Sequence, residues 1–220
     1  MNNSKISSYE EAIHFIEDGA RIMVGGFGNA GNPEGLIDHL VKSRKKDLTI
    51  ISNDLGSPDL GLGRLLTNGQ IKALIGNYYN WNPEVATAYN EKRIDVTLIP
   101  QGSFAEAIRA AGVGIPAFYT PTSMGTDLAQ GKQTQSFDGI PCVLERAIHA
   151  DIAIIRAHRA DDLGNLTYYK TACNFNPLMA MAATTTIAEV DEIVRTGQID
   201  PQAIVTPHVF VNHIVKKEKP

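Results

Sequence analysis

The chain has 220 residues, 43% hydrophobic and 20% charged, and its 20 basic and 24 acidic side chains give a net charge of −4. These proportions exclude a chain disordered throughout, which would be poorer in apolar residues or higher in net charge. They also exclude a general nucleic-acid binder, which needs a basic footprint. No apolar run approaches the roughly 18 residues of a bilayer span, and the N-terminal residues show no apolar signal region. Cys142 and Cys173 make no disulfide framework and read as free thiols in a reducing compartment. The expectation is a cytoplasmic protein with neither a nucleic acid nor a membrane as partner.

Short β-rich runs alternate with helical patterns, which predicts an α/β fold with a largely parallel sheet, in a single domain over 1–220. A helix is predicted over 9–17, with Ser8 and Glu11 as a capping box. A buried strand over 21–24 leads into a glycine-rich loop at 25–31. Asn32 as N-cap and Pro33 as first helical residue then open a helix whose apolar stripe is Leu36, Ile37, Leu40 and Val41. Strands follow at 48–51, 71–75 and 96–99, with a helix starting at Asn82-Pro83 between the last two. Pro100-Gln101-Gly102 closes the strand at 96–99, and Ser103 with Glu106 reads as a second capping box for a helix over 104–111. Asp138-Gly139 suits a type I′ turn in a hairpin, and 112–141 reads as a small subdomain or flap. Further strands are predicted at 151–156, 166–169, 185–187 and 209–211. A third Asn-Pro helix runs from Asn176 through residue 183, with Met179 and its alanines as core.

Open parallel sheets bind ligands at the carboxyl ends of their strands. The loop at 25–31 lies at such an end. Its glycines let a ligand approach the backbone, and the next helix offers free N–H groups to an anionic ligand. Gly26 to Gly31 is also a literal G-x-G-x-x-G, with Asp54 at the end of the next strand, the outline of a dinucleotide fingerprint. Against that reading, Gly25 lengthens the loop and Pro33 starts the helix after the third glycine. Gln101 and Asn53 stand at strand ends, where a side-chain amide can donate to an oxyanion on a carbonyl under attack. Glu34, Glu106 and Glu145 are candidate carboxylates. Arg156, His158 and Arg159 form a basic cluster that reads as a solvated or subunit-contact feature. Cys142 reads as a small core residue. The six histidines show no metal-ligand spacing, and no nucleophile motif is found. That shortage suggests a binding module or one half of a two-chain active site.

The run from Asp18-Gly19 through Gly25-Gly26-Phe27 to Asn32-Pro33 resembles the signature of the family I CoA-transferases. Ile51-Ser52-Asn53-Asp54, Pro100-Gln101-Gly102, Gly164-Asn165-Leu166-Thr167 and Asn174-Phe175-Asn176-Pro177 are similar to segments of their α subunits. The resemblance covers residues 8–215, nearest to the acetate/acetoacetate enzymes and almost as near to the 3-oxoacid and 3-oxoadipate enzymes. It implies a three-layer αβα fold and a partner β subunit, usually in an α2β2 assembly. Coenzyme A would be a substrate, and no tightly bound cofactor or metal is implied. The reaction would be a ping-pong transfer between an acyl-CoA and a short-chain carboxylate, through a glutamyl-CoA thioester on the β subunit. The family's Ser-Glu-Asn-Gly nucleophile motif is absent from this sequence. By motif, Gly25, Gly26, Phe27, Gly28, Asn29, Ala30 and Gly31 would contact CoA, Gln101 would be the oxyanion donor and Asn53 would lie near the acyl group. The sequence departs from many acetate-type relatives at Pro116 and the following Ala-Phe-Tyr run, which bears on acyl preference, and at His208, which looks structural. A nicotinamide-dependent oxidoreductase and a non-catalytic effector-binding domain are the alternatives.

Overall fold

The computed structural model describes residues 4–218. Its strands in chain order are β1 (Arg21–Val24), β2 (Leu48–Ile51), β3 (Ile71–Gly76), β4 (Asp95–Leu98), β5 (Ala117–Thr120), β6 (Thr134–Phe137), β7 (Ile140–Arg146), β8 (Ala150–Asp161), β9 (Leu166–Thr167), β10 (Ala183–Val194) and β11 (His213–Lys216). The helices are α1 (Tyr9–His14), α2 (Glu34–Ser43), α3 (Gly63–Thr67), α4 (Pro83–Asn90), α5 (Gln101–Gly112) and α6 (Asn176–Ala182). The main sheet runs β11-β10-β8-β1-β2-β3-β4, all parallel, with the short β9 antiparallel on β8. Among the described residues, no helix is long and apolar enough to cross a membrane.

Side chains alternate across a strand, so each strand feeds two cores. Ile22, Val24, Leu48 and Ile50 cluster with Ile13 of α1, Leu36 and Leu40 of α2, Leu65 of α3 and Val85 of α4. Met23, Ile51, Ala153 and Ile155 cluster with Phe104 and Ile108 of α5 and Met179 of α6. The result is three layers, with α1–α4 on one face and α5–α6 on the other. Strands β5, β7 and β6 form a separate antiparallel sheet, the flap read from the sequence, extended to Arg146. Its hairpin turns on Asp138 and Gly139, both at positive φ (50° and 80°), as a type I′ turn requires. The Ala-Phe-Tyr run after Pro116 forms β5 of this flap, and Phe118 packs on the core beside α5.

Several local expectations differ from the structure, each for a tertiary reason. The Ser8–Glu11 capping box forms, but α1 stops at His14. Asn32 does not cap α2, because its side chain donates to the Gly28 carbonyl instead (2.7 Å). A carboxylate oxygen of Glu189 on β10 accepts the Leu36 N–H at that helix end (2.9 Å). Asn82 does cap α4, accepting from the Glu84 N–H. Helix α5 begins at Gln101, directly after Pro100, so Ser103 lies inside the helix and Glu106 pairs with Arg109 rather than closing a box. Asn176 is the first residue of α6 rather than its cap. Strands β8 and β10 run well past 156 and 187, because the charges beyond those points pair across strands. Arg156 faces Glu189 and Asp191, and Arg159 faces Glu192. The segment at 209–211 is no strand. A 3-10 turn follows Pro207, and β11 starts at His213. The backbone of His208 is pinned, its N–H to Asn165 and its carbonyl to the Lys5 ammonium.

Glu189 is fully buried, with Arg156 Nη1 3.3 Å from its second oxygen. Burial holds its carboxyl above the usual carboxylate range, opposed by the Leu36 N–H, Arg156, Tyr9 and Lys217. With the folded value above the unfolded one, the native state binds the extra proton. Stability therefore falls as pH rises from about 4.3, the unfolded value, through the raised one. Urea unfolding between pH 4 and 7 should show stability changing with a more positive slope in pH for Glu189→Gln than for the wild type, because the variant lacks the falling contribution. Equal slopes would show that Glu189 does not titrate in that window.

Candidate active site

The carboxyl ends of β1 to β4 lie along one edge of the sheet, and the segments leaving them build the site. Beyond β1, Phe27 and Ala30 exchange both backbone hydrogen bonds (3.0 Å each), closing a tight turn over Gly28 and Asn29. Gly26 and Gly31 take φ of +128° and +75°, where a side chain is strained. At Gly25 the limit is space: an added Cβ would lie 1.7 Å from Asn176 Oδ1. Three asparagine amides hold the loop from outside. Asn32, Asn174 and Asn176 donate from Nδ2 to the carbonyls of Gly28, Ala30 and Gly31 at 2.7, 2.9 and 3.0 Å. Asn176 also accepts the Arg156 N–H at 2.8 Å, fixing the loop to β8. Phe27 is exposed, and Trp81 comes close to Gly28 while meeting Tyr78 edge to face.

Beyond β2, Asn53 and Asp54 are buried. Asp54 Oδ2 accepts the Gly28 N–H and Asn53 Nδ2, both at 2.8 Å, and its Oδ1 accepts the Gly56 N–H at 3.1 Å. This carboxylate is thus engaged by three protein N–H groups, so it is not held free to read a ribose, and the dinucleotide reading loses its acid. Beyond β4, Gln101 is exposed and is the first residue of α5. Its Nε2 donates to Asn53 Oδ1 at 2.8 Å, which leaves the second hydrogen of that nitrogen for a ligand. The N-terminus of α5 adds unpaired backbone N–H groups and a positive dipole end beside that amide. The structure therefore links the three features read from the sequence: the glycine loop, Asn53 and Gln101.

A narrow cleft runs between the loop and residues 52–62, lined in part by Gly26, Asn29, Asn53 and Glu34. Burial and Asp38 push the Glu34 carboxyl upward, with Arg64 and Lys217 opposing. The other two candidate carboxylates are engaged elsewhere. The Arg109 hydrogen bond lowers the Glu106 carboxyl, and Glu145 pairs with Lys132 in the flap at 2.6 Å. The cluster Arg156, His158 and Arg159 is taken up by the carboxylates of β10. Cys142 is buried in the flap.

Sequence reasoning missed the asparagine clamp and Asn77. Asn77 follows β3 between the strand ends that carry Asn53 and Gln101, and its buried Nδ2 meets no partner among the described residues. The signal for the clamp was the Asn-Phe-Asn-Pro segment, whose second Asn reads as a helix cap when taken alone.

The family model described as Coenzyme A transferase matches residues 6–217. The chain is 48% identical over 217 residues to one subunit of the succinyl-CoA:3-ketoacid coenzyme A transferase of Helicobacter pylori (strain J99), covering 99% of this chain and 94% of that protein. It is 44% identical over 216 residues to the alpha subunit of the acetate CoA-transferase of Escherichia coli (strain K12), covering 98% of each. In fold it is similar to an acyl-CoA transferase of Escherichia coli O157:H7 solved as a thioester complex with CoA, with a TM-score of 0.87 and 23% identity. That likeness covers 97% of this chain but 47% of the other, so the chain spans about half the length of that enzyme.

Proposed function

The chain belongs to the coenzyme A transferase family, and from that premise we propose that it is the α subunit of a two-subunit enzyme moving CoA between a short-chain acyl-CoA and a carboxylate, of the acetate/acetoacetate type. The observation that carries the reading is the Gln101 amide, pinned by Asn53 at the positive end of α5 and joined through Asp54 to the glycine loop. A β subunit supplies the nucleophilic glutamate. Its carboxylate oxygen adds to the acyl-CoA carbonyl carbon, and the oxygen left negative takes the spare Gln101 hydrogen bond. Collapse of this intermediate breaks the C–S bond, giving an acyl-glutamyl anhydride and CoA thiolate. The thiolate adds to the glutamyl carbonyl and expels the acyl group as its free carboxylate, leaving a glutamyl-CoA thioester. The second carboxylate reverses the steps. This is nucleophilic catalysis divided into two exchanges.

Residues 25–31 hold CoA, with Gly25, Gly26, Gly28 and Gly31 keeping the backbone bare and Phe27, Asn29 and Ala30 shaping the turn. Asn53 serves the acyl end of the site. The chain works as one domain over 1–220 in an α2β2 assembly in the cytoplasm, with CoA as substrate and no tightly bound cofactor. A 3-oxoacid enzyme using succinyl-CoA is the second reading, favoured by the slightly higher identity to the Helicobacter pylori protein.

The test is to co-express the chain with its β subunit, then to assay CoA transfer from acetyl-CoA and succinyl-CoA to acetate, acetoacetate and 3-oxoadipate. Each subunit is also assayed alone. Transfer by the mixture only, with acetyl-CoA and acetoacetate the best pair, is the expected result. A stable complex inactive with every pair would overturn the reading, and preference for succinyl-CoA would favour the second.

A further inference from the structure

Asp54 is buried and touches Asn53, not Gln101, yet its chemistry reaches Gln101. An ionised carboxylate only accepts hydrogen bonds. Asn53 therefore has to turn its Nδ2 toward Asp54, and its Oδ1 then faces the other way. An amide oxygen only accepts as well, so Gln101 has to present Nε2, not Oε1, to Asn53. One charge thus dictates the direction of two amides in succession. Without it, either amide can turn over and put an oxygen where an oxyanion has to be met. The oxygen of Asp54 that fixes Asn53 also accepts the Gly28 N–H, so the same group ties the amides to the glycine loop.

We propose that Asp54 is a positioning residue that sets, through Asn53, which atom of Gln101 meets the reacting carbonyl and holds that amide in register with the loop at 25–31. The proposal rests on the reading of Gln101 as oxyanion donor. Asp54→Ala is the informative variant, and Asp54→Asn is its control. Alanine removes the shared acceptor and with it the dictated direction, whereas asparagine keeps an oxygen able to accept both the Gly28 N–H and the Asn53 amide.

Two measurements decide the matter. In the assembled enzyme, Asp54→Ala is expected to lower kcat for CoA transfer about 10- to 100-fold, the scale of a misplaced catalytic group. Added to Gln101→Ala it should lower kcat no further, because residues that act through one another do not add. In the full chain alone, labelled with 15N-glutamine, the Gln101 side-chain amide is assigned by its loss in Gln101→Ala. One of its two proton signals should be shifted by the bond to Asn53, and Asp54→Ala should bring the pair back toward free glutamine. Effects that multiply in the double variant, or an amide pair unmoved by Asp54→Ala, would overturn the proposal. A wild-type complex without transfer activity would instead bring down the functional reading, while the amide signals would still decide whether Asp54 orients Gln101.

Discussion

Replacing Gln101 by alanine in the assembled enzyme is expected to cut kcat by about 100- to 1000-fold, or ~3–4 kcal/mol of transition-state stabilisation. The argument is geometric and electrostatic. The amide hydrogen not used by Asn53 sits at the start of α5, where unpaired N–H groups and the helix dipole already favour negative charge. Charge on the acyl oxygen is small in the bound thioester and large in the tetrahedral intermediate, so the donor acts chiefly on the barrier. The KM for acyl-CoA should accordingly change only a few-fold. Gln101→Glu should be at least as damaging, since it brings an acceptor and a negative charge to the same place. Steady-state kinetics with separate kcat and KM values checks this. A loss confined to KM would show that Gln101 binds the substrate without stabilising the transition state.

Gly25→Ala is expected to be severely damaging on space alone, since the backbone φ of Gly25 is ordinary. Its Cβ would fall 1.7 Å from Asn176 Oδ1, and Asn176 is fully buried. Either Asn176 or the loop has to yield. If Asn176 moves, the Arg156 N–H loses its acceptor, and the carbonyls of Gly31 and Ala172 lose their donor. Each buried polar group left unpaired costs about 1–3 kcal/mol, so a loss of ~3 kcal/mol or more is expected. At roughly 2–4 °C per kcal/mol for a chain of this size, Tm should fall by about 6–12 °C. Acyl-CoA should bind at least 10-fold more weakly. Gly102→Ala is the control, since nothing lies within 4 Å of its added Cβ and its φ is ordinary. It should leave Tm unchanged or slightly raised, because alanine favours the helix. A Gly25→Ala protein with wild-type Tm and CoA affinity would show that the loop relaxes without penalty.

How much of this was legible depended on the range of the interactions involved. The layers followed from alternation within short strands: Ile22 and Val24 face one core and Met23 the other, whatever the rest of the chain does. The glycine loop and Gln101 were legible because glycine spacing and a Pro-Gln-Gly strand end are local marks. The errors fell where a distant side chain replaced a local one. Asn32 looked like a cap for α2, but the acceptor there is Glu189, 153 residues from Leu36. Ser103 and Glu106 matched the capping-box pattern, but the helix starts at Gln101, directly after Pro100 and three residues sooner. Arg156, His158 and Arg159 read as a solvated or subunit-contact feature, since their ion pairs exist only once β8 and β10 are side by side. The chain of hydrogen bonds from Gly28 to Gln101 joins three segments separated by 26 and 48 residues and has no local signature.

The asparagine clamp has a thermodynamic consequence for ligand capture. Ordering a free loop costs roughly 1–2 kcal/mol per residue in backbone entropy. Here the carbonyls of Gly28, Ala30 and Gly31 are already fastened by Asn32, Asn174 and Asn176, so most of that ordering was completed when the protein folded. A ligand entering the loop meets a mould rather than a flexible segment. Its association should proceed in a single kinetic phase whose rate rises linearly with ligand concentration, without the plateau that a slow rearrangement of the loop would impose.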